Sequence, residues 1–148
     1  MAKNIPLSQH VPEIEKAMDK ALGEHLLKIQ KDLAMAAPKD TGRFASSWFV
    51  AQDAPDRSVR PESWGTPAKR DSEGVIVKEG SKTVQIQPPS QRITYDGTWY
   101  VSNSLPYAER VSFDPIYAKG GAGGAGWFTS ITNQIPAQWS KIVAKHLP

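Results

Sequence analysis

A chain of 148 residues can bury one hydrophobic core and is too short for two well-packed ones. It has no cysteine, which removes disulfides, thiolate metal sites and cysteine nucleophiles together. The net charge of +3 is spread over interleaved basic and acidic residues with no Lys/Arg run longer than Lys69–Arg70, unlike the concentrated stripe of a dedicated nucleic-acid binder.

Apolar residues first recur as Val11, Ile14, Met18, Ala21, Leu22, Leu26, Ile29 and Leu33, steps of three and four that place them on one helical face. A helix is therefore expected over residues 11–36. Pro12 is tolerated in its first turn, and Pro38 ends it by disfavouring helical geometry in the residue before it. His25 and Met18 lie on or beside the stripe and are expected to pack at the edge of the core. No window reaches the length of a membrane span, and the opening MAKNIPLSQH lacks the apolar run of a signal peptide, so a protein working in solution in a cytoplasm is expected.

The stretch 38–48, PKDTGRFASSW, follows at once. Asp40 can accept from following amides, Gly42 can take positive φ, and the chain then alternates into a strand, with or without a short helical turn before it. Residues 52–72 are polar and rich in Pro, Ser and Arg, with Trp64 as their one large apolar residue. A loop this long suggests a functional surface, and Trp64 is the natural anchor for a partner unless it folds back on its own domain.

Strand signals at 75–77 and 83–87, separated by a Gly-containing loop, and a third at 98–102 predict an antiparallel meander. A helical turn is expected near Tyr107 and Val111. The segment GGAGGAG at 120–126 lacks the Gly-Lys-Ser/Thr ending of a phosphate loop and reads as an arm or hinge within a second long loop, 114–126. Phe128, Ile131, Ile135, Trp139, Ile142, Val143 and Leu147 mark a final amphipathic helix, in which Pro136 should produce a kink or break near residues 134–135. The expected fold class is α+β: one domain over residues 1–148, with both helices on one face of a mostly antiparallel sheet.

Catalytic raw material is sparse. The three histidines, at 10, 25 and 146, are scattered, and no His-x-x-x-His, Gly-x-Ser-x-Gly or paired-carboxylate arrangement appears. The expectation is a non-enzyme with no cofactor and no metal.

The order of helix, PKDTGRFASSW, strand region, SNSLPYAERV, glycine-rich connection and final helix resembles the minor tail-component, or tail-completion, proteins of tailed double-stranded DNA bacteriophages. The likeness rests on Pro38, Asp40, Thr41, Gly42, Phe44, Ser47 and Trp48 in the first box, and on Ser102, Asn103, Leu105, Pro106, Tyr107, Ala108 and Val111 in the second. The resemblance implies a structural virion protein at the head–tail interface, assembled in the host cytoplasm. It further implies a six-fold ring that meets connector or stopper proteins on one side and a tail terminator or tail tube on the other, with passive contact to genomic DNA in the channel and no membrane partner. In that picture Asp40, Thr41 and Gly42 cap a corner, Trp48 anchors the strand, Asn103, Pro106 and Tyr107 form the opposite corner, and Arg43 faces the channel or a neighbouring subunit. The alternative class is a nucleic-acid-binding or nuclease-like protein of the same phage region.

Overall fold

The computed structural model describes residues 7–38, 41–67, 69–78, 83–114 and 126–148. Helix α1 spans Leu7–Ala36, a single 3-10 turn Ala45–Ser47 leads into β1 (Trp48–Gln52), and two short strands follow, β2 (Lys69–Arg70) and β3 (Ile76–Lys78). Strand β4 (Trp99–Asn103), the short α2 (Ala108–Phe113) and α3 (Trp127–His146) complete the order. The class is α+β, with the N- and C-terminal helices packed along each other and α1 lying against β1.

Two features of α1 follow directly from its sequence. The stripe buries Ala21, Leu26, Ile29 and Leu33, with Ala17 beside it, while Met18 and Leu22 are half-buried and Val11 and Ile14 exposed, and Pro12 sits inside the helix near its start without ending it. Helix α3 likewise runs unbroken through Pro136, so of the kink or break expected near 134–135 the break does not occur. Pro136 is exposed, on the side of α3 turned away from the core.

The sheet differs from the meander the sequence suggests. β1 pairs antiparallel with β4 in the register Trp48↔Asn103 to Gln52↔Trp99, so strands far apart in sequence are neighbours. β3 pairs with β2, not with residues 83–87. The turn between β2 and β3 explains this: the Asp71 carboxylate accepts from the Glu73 and Val75 amides, and Gly74 adopts φ 82, closing a tight connection in which β3 folds back on β2. Residues 83–87 alternate in burial as a strand would, with Val84 and Ile86 half-buried against the core and Thr83, Gln85 and Gln87 exposed, yet they carry no strand ladder.

An aromatic cluster fills the space where the helices meet the sheet. Trp48 stacks on Phe128 at 6.0 Å and meets Phe44 and Trp127 edge-on at 5.7 and 6.4 Å. Trp127, the first residue of α3, is 1% exposed and donates its indole N–H to the Val111 carbonyl, which ties α3 to α2. Leu33, Ala37, Phe44 and Leu105 close the same core.

The other end of the helix pair is fastened by polar groups. Glu24 accepts from Lys145 Nζ and is hydrogen-bonded to His146 Nε2, both at 2.7 Å, and these two bonds hold its carboxyl below the ordinary range. Beside it His25 is buried and stacks on Trp139 at 5.5 Å, with Tyr95 stacked on the same indole at 6.0 Å.

Trp48→Ala is expected to lower stability by about 3–5 kcal/mol, because it removes the ring on which the other aromatics pack; thermal or denaturant unfolding measures this directly. A second expectation concerns acid. Burial, and after it the charge of Lys28, pushes the His25 imidazole below its ordinary value of 6.5. At higher pH the ring is neutral in both states and stability is complete; below that value the unfolded chain takes a proton that the folded chain resists, so stability falls as pH falls. Melting temperature should therefore decline from about pH 7 to about pH 5, and His25→Phe, which keeps an aromatic against Trp139, should flatten that decline.

Candidate functional site

The two boxes that stand out in the sequence come together as one corner. Thr41 Oγ1 accepts from the Arg43 amide, forming a tight turn, and Gly42 takes φ 86. A Cβ on Gly42 would lie 2.0 Å from the Thr83 carbonyl oxygen, so glycine is required both by backbone conformation and by the approach of residues 83–87. The Thr83 amide in turn donates to the Thr41 carbonyl at 3.1 Å. Asp40, expected to cap this corner, lies outside the described residues.

Asn103 joins the second box to the first. Its Nδ2 donates to the Phe44 carbonyl at 2.9 Å, and its Oδ1 accepts from the Leu105 amide. Phe44 and Tyr107 are ring neighbours at 6.3 Å, and Leu105 is buried in the core. Pro106 is exposed at the turn that leads into α2, while Tyr107 is half-buried at its start. Asn103, Trp48, Phe44 and Tyr107 thus form one continuous contact.

The serines between Phe44 and Trp48 do more than make room for packing. Ser46 Oγ donates to the Thr83 carbonyl and accepts from the Gln85 amide, and Ser47 Oγ donates to the Arg43 carbonyl and accepts from the Arg60 amide. Both serines are fully buried, so each hydroxyl bond replaces one that water would have made.

Arg43, expected to be spare, has a structural partner: its Nε donates to the Arg60 carbonyl at 2.7 Å. Arg60 is the residue that sequence reading missed. Its Nε donates to the Ser46 carbonyl and its Nη2 to the Gln85 carbonyl, and its guanidinium lies over the rings of Phe49 and Trp64 at 5.4 and 4.7 Å. Trp64 itself donates its indole N–H to the Thr83 carbonyl at 2.7 Å and is half-buried. Of the two alternatives for Trp64, the structure shows it folded back on its own domain. Residues 56–64 are accordingly fastened along the corner and not free to extend from it.

Gln30 is the second residue missed. It sits on α1, fully buried, and its Nε2 donates to the carbonyls of both Trp48 and Gln87 at 2.9 and 2.7 Å. A glutamine one position from Ile29 looks like the polar edge of a helix, and only the tertiary fold turns it inward.

Chemically the corner is a fastening. Among the described residues its charged groups are Arg43 and Arg60, whose bonded donors end on carbonyl oxygens, and no nucleophile among those residues is paired with a base there. Among the described residues no group of three or more His, Asp or Glu could hold a metal ion, and no helix is long and apolar enough to cross a membrane. Three open grooves among the described residues lie at the Pro88–Pro89 turn beside β1, between α1 and residues 94–96, and between α1 and the end of α3. The fold and site together define a small α+β domain organised around a buried, hydrogen-bonded corner. Comparisons with protein-family models, with curated proteins and with solved structures find no match.

Gly42→Ala separates the two demands on this residue. Left-handed strain alone is worth about 1–3 kcal/mol, and Gly74, at φ 82 with nothing within 4 Å of the point where a methyl would stand, should show only that strain when changed to alanine. The Gly42 substitution should cost measurably more than the Gly74 one in denaturant unfolding, and should raise amide exchange at Thr83 and Gln85.

Proposed function

We propose that this chain is a non-enzymatic structural subunit of a tailed bacteriophage, forming a ring at the head–tail junction between connector or stopper proteins and the tail terminator or tube. The reading rests on the resemblance of the boxes at 38–48 and 102–111 to tail-completion proteins. The observation that carries it furthest is that these boxes, which bracket more than fifty intervening residues of the sequence, meet residue to residue: Trp48 opposite Asn103, with the Asn103 side chain on the Phe44 carbonyl. Residues that define one structural corner are what a shared architecture would retain, and they account for both boxes without catalysis. In this reading Arg43 supports the corner through the bond from its Nε to the Arg60 carbonyl.

The test is genetic and structural together. Removing the gene from the phage that encodes the chain should yield filled heads and finished tails that fail to join, and supplying the protein should restore joined particles. Reconstruction of the restored particle by electron microscopy should place a ring of this chain at the neck. Normal infectious particles without the protein would overturn the proposal, as would its absence from purified particles.

A further inference from the structure

We propose that the groove between the N-terminal half of α1 and the turn at residues 94–96 is a socket for a second copy of this chain, which fills it with the basic flank of its own α1 and the end of its α3. The apolar stripe of α1 continues beyond the part covered by the domain. Ala21 is fully buried, whereas Ile14 and Val11 remain 42% and 44% exposed, and Tyr95 across the groove is 54% exposed. Ile14, Met18 and Tyr95 line an open space of about 470 Å³, with the carboxylates of Glu15, Asp19 and Asp96 around it. Single exposed apolar side chains are ordinary, but a row of them in a concave surface marks a contact.

Charge selects the occupant. Asp19 accepts from the Tyr95 amide, and Asp96 accepts from Gln52 Nε2 and the Thr94 hydroxyl. These are neutral donors, and among the described residues none of the three carboxylates makes an ion pair. The groove is thus apolar with an uncompensated negative rim. On the other side of α1, Lys16 and Lys20 line a second recess of about 350 Å³ with Lys145 and His146, beside the exposed Leu147. Lys145 and His146 are already bonded to Glu24, but Lys16 and Lys20 make no ion pair among the described residues, and the recess is lined by one acidic side chain, Glu13. The chain therefore carries both halves of a complementary pair.

Their placement dictates the kind of assembly. Lys16 and Lys20 each lie two positions after Ile14 and Met18, about 200° further around the helix at 100° per residue. Unlike surfaces on opposite sides of one helix can meet only head to tail, whereas a two-fold dimer through the groove would oppose carboxylate to carboxylate. That such contacts close into a ring rests on the function proposed above; the contact itself does not.

The test uses the full chain and two opposite charge reversals. Sedimentation equilibrium should show self-association of the unaltered protein in about 0.1 M salt, weakening toward about 1 M as the charges are screened. Glu15→Lys sets a lysine among the two remaining carboxylates of the groove and so weakens its attraction for a basic surface, and Lys16→Glu with Lys20→Glu makes both surfaces negative; each variant alone should raise the dissociation constant at least about tenfold. An equimolar mixture of the two should recover association as one-to-one pairs, because the unaltered groove of the second variant meets the unaltered basic recess of the first. Ile14→Ser, which changes no charge, should also weaken association, and circular dichroism melting checks that each variant folds. The proposal is overturned if the unaltered chain stays monomeric at about millimolar concentration, if the reversals leave association unchanged, or if the mixture does not recover it. A monomeric chain whose Glu15→Lys variant no longer enters phage particles would assign the groove to a different particle protein and overturn the second-copy occupant. Particles that assemble without the chain would overturn the head–tail reading while leaving a positive association result in place.

Discussion

A strand buried on both faces must satisfy its backbone along both edges, and β1 has a strand partner along only one of them. The other edge and the turn before it face residues 83–87, and the space between is bridged by side chains instead of a ladder. Gln30 bonds the carbonyls of Trp48 and Gln87, Arg60 those of Ser46 and Gln85, and the Ser46 hydroxyl reaches both the carbonyl of Thr83 and the amide of Gln85. Three side chains from three parts of the chain thus act as rungs between the same two stretches of backbone. The aromatic core lies directly beneath, so the burial of Trp48 depends on these polar groups being satisfied beside it.

This arrangement explains why the corner uses the residue types it does. A serine at 46 is small enough to let the two backbones approach and still offers one donor and one acceptor. A guanidinium at 60 presents several donors in a fixed plane, enough to reach two carbonyls while its flat faces cover Phe49 and Trp64. Glycine at 42 admits the Thr83 carbonyl where any side chain would collide with it.

Helices and class were legible in the sequence because α1 and α3 express their burial as a regular period. The strand at Trp48 was legible for the same reason, and the short helical turn before it was one of two readings the residues allowed. The partner of β3 was not legible, since 75–77 and 83–87 both have strand character and local pattern cannot say which segments pair across space. The choice was made by the Asp71 turn on one side and by the side-chain rungs on the other. Gln30, Arg60 and Trp127 were missed for a common reason: each looks like a surface or boundary residue locally, and each is buried or half-buried by elements distant in sequence. The value of Asp40, Thr41, Gly42, Trp48, Asn103 and Tyr107 as markers came from motif and not from period, and the members that are described do converge. Arg43 was read as reaching outward and Trp64 as either a partner anchor or folded back on its domain, because no local partner is visible for them; the structure gives them the backbone of residues 60 and 83.

The pairing of Trp48 with Asn103 has a kinetic side. Everything from residue 53 to residue 98 must be closed as a loop before that register exists, and the rungs from Gln30, Ser46 and Arg60 to residues 83–87 form within the same loop closure. The helices can form early and locally, but the sheet rewards the chain only after its most distant parts have met, which is the signature of a slow-folding topology. During synthesis, α1 would emerge long before the residues that cover its apolar face, leaving Leu26, Ile29 and Leu33 exposed until the second half of the chain has left the ribosome.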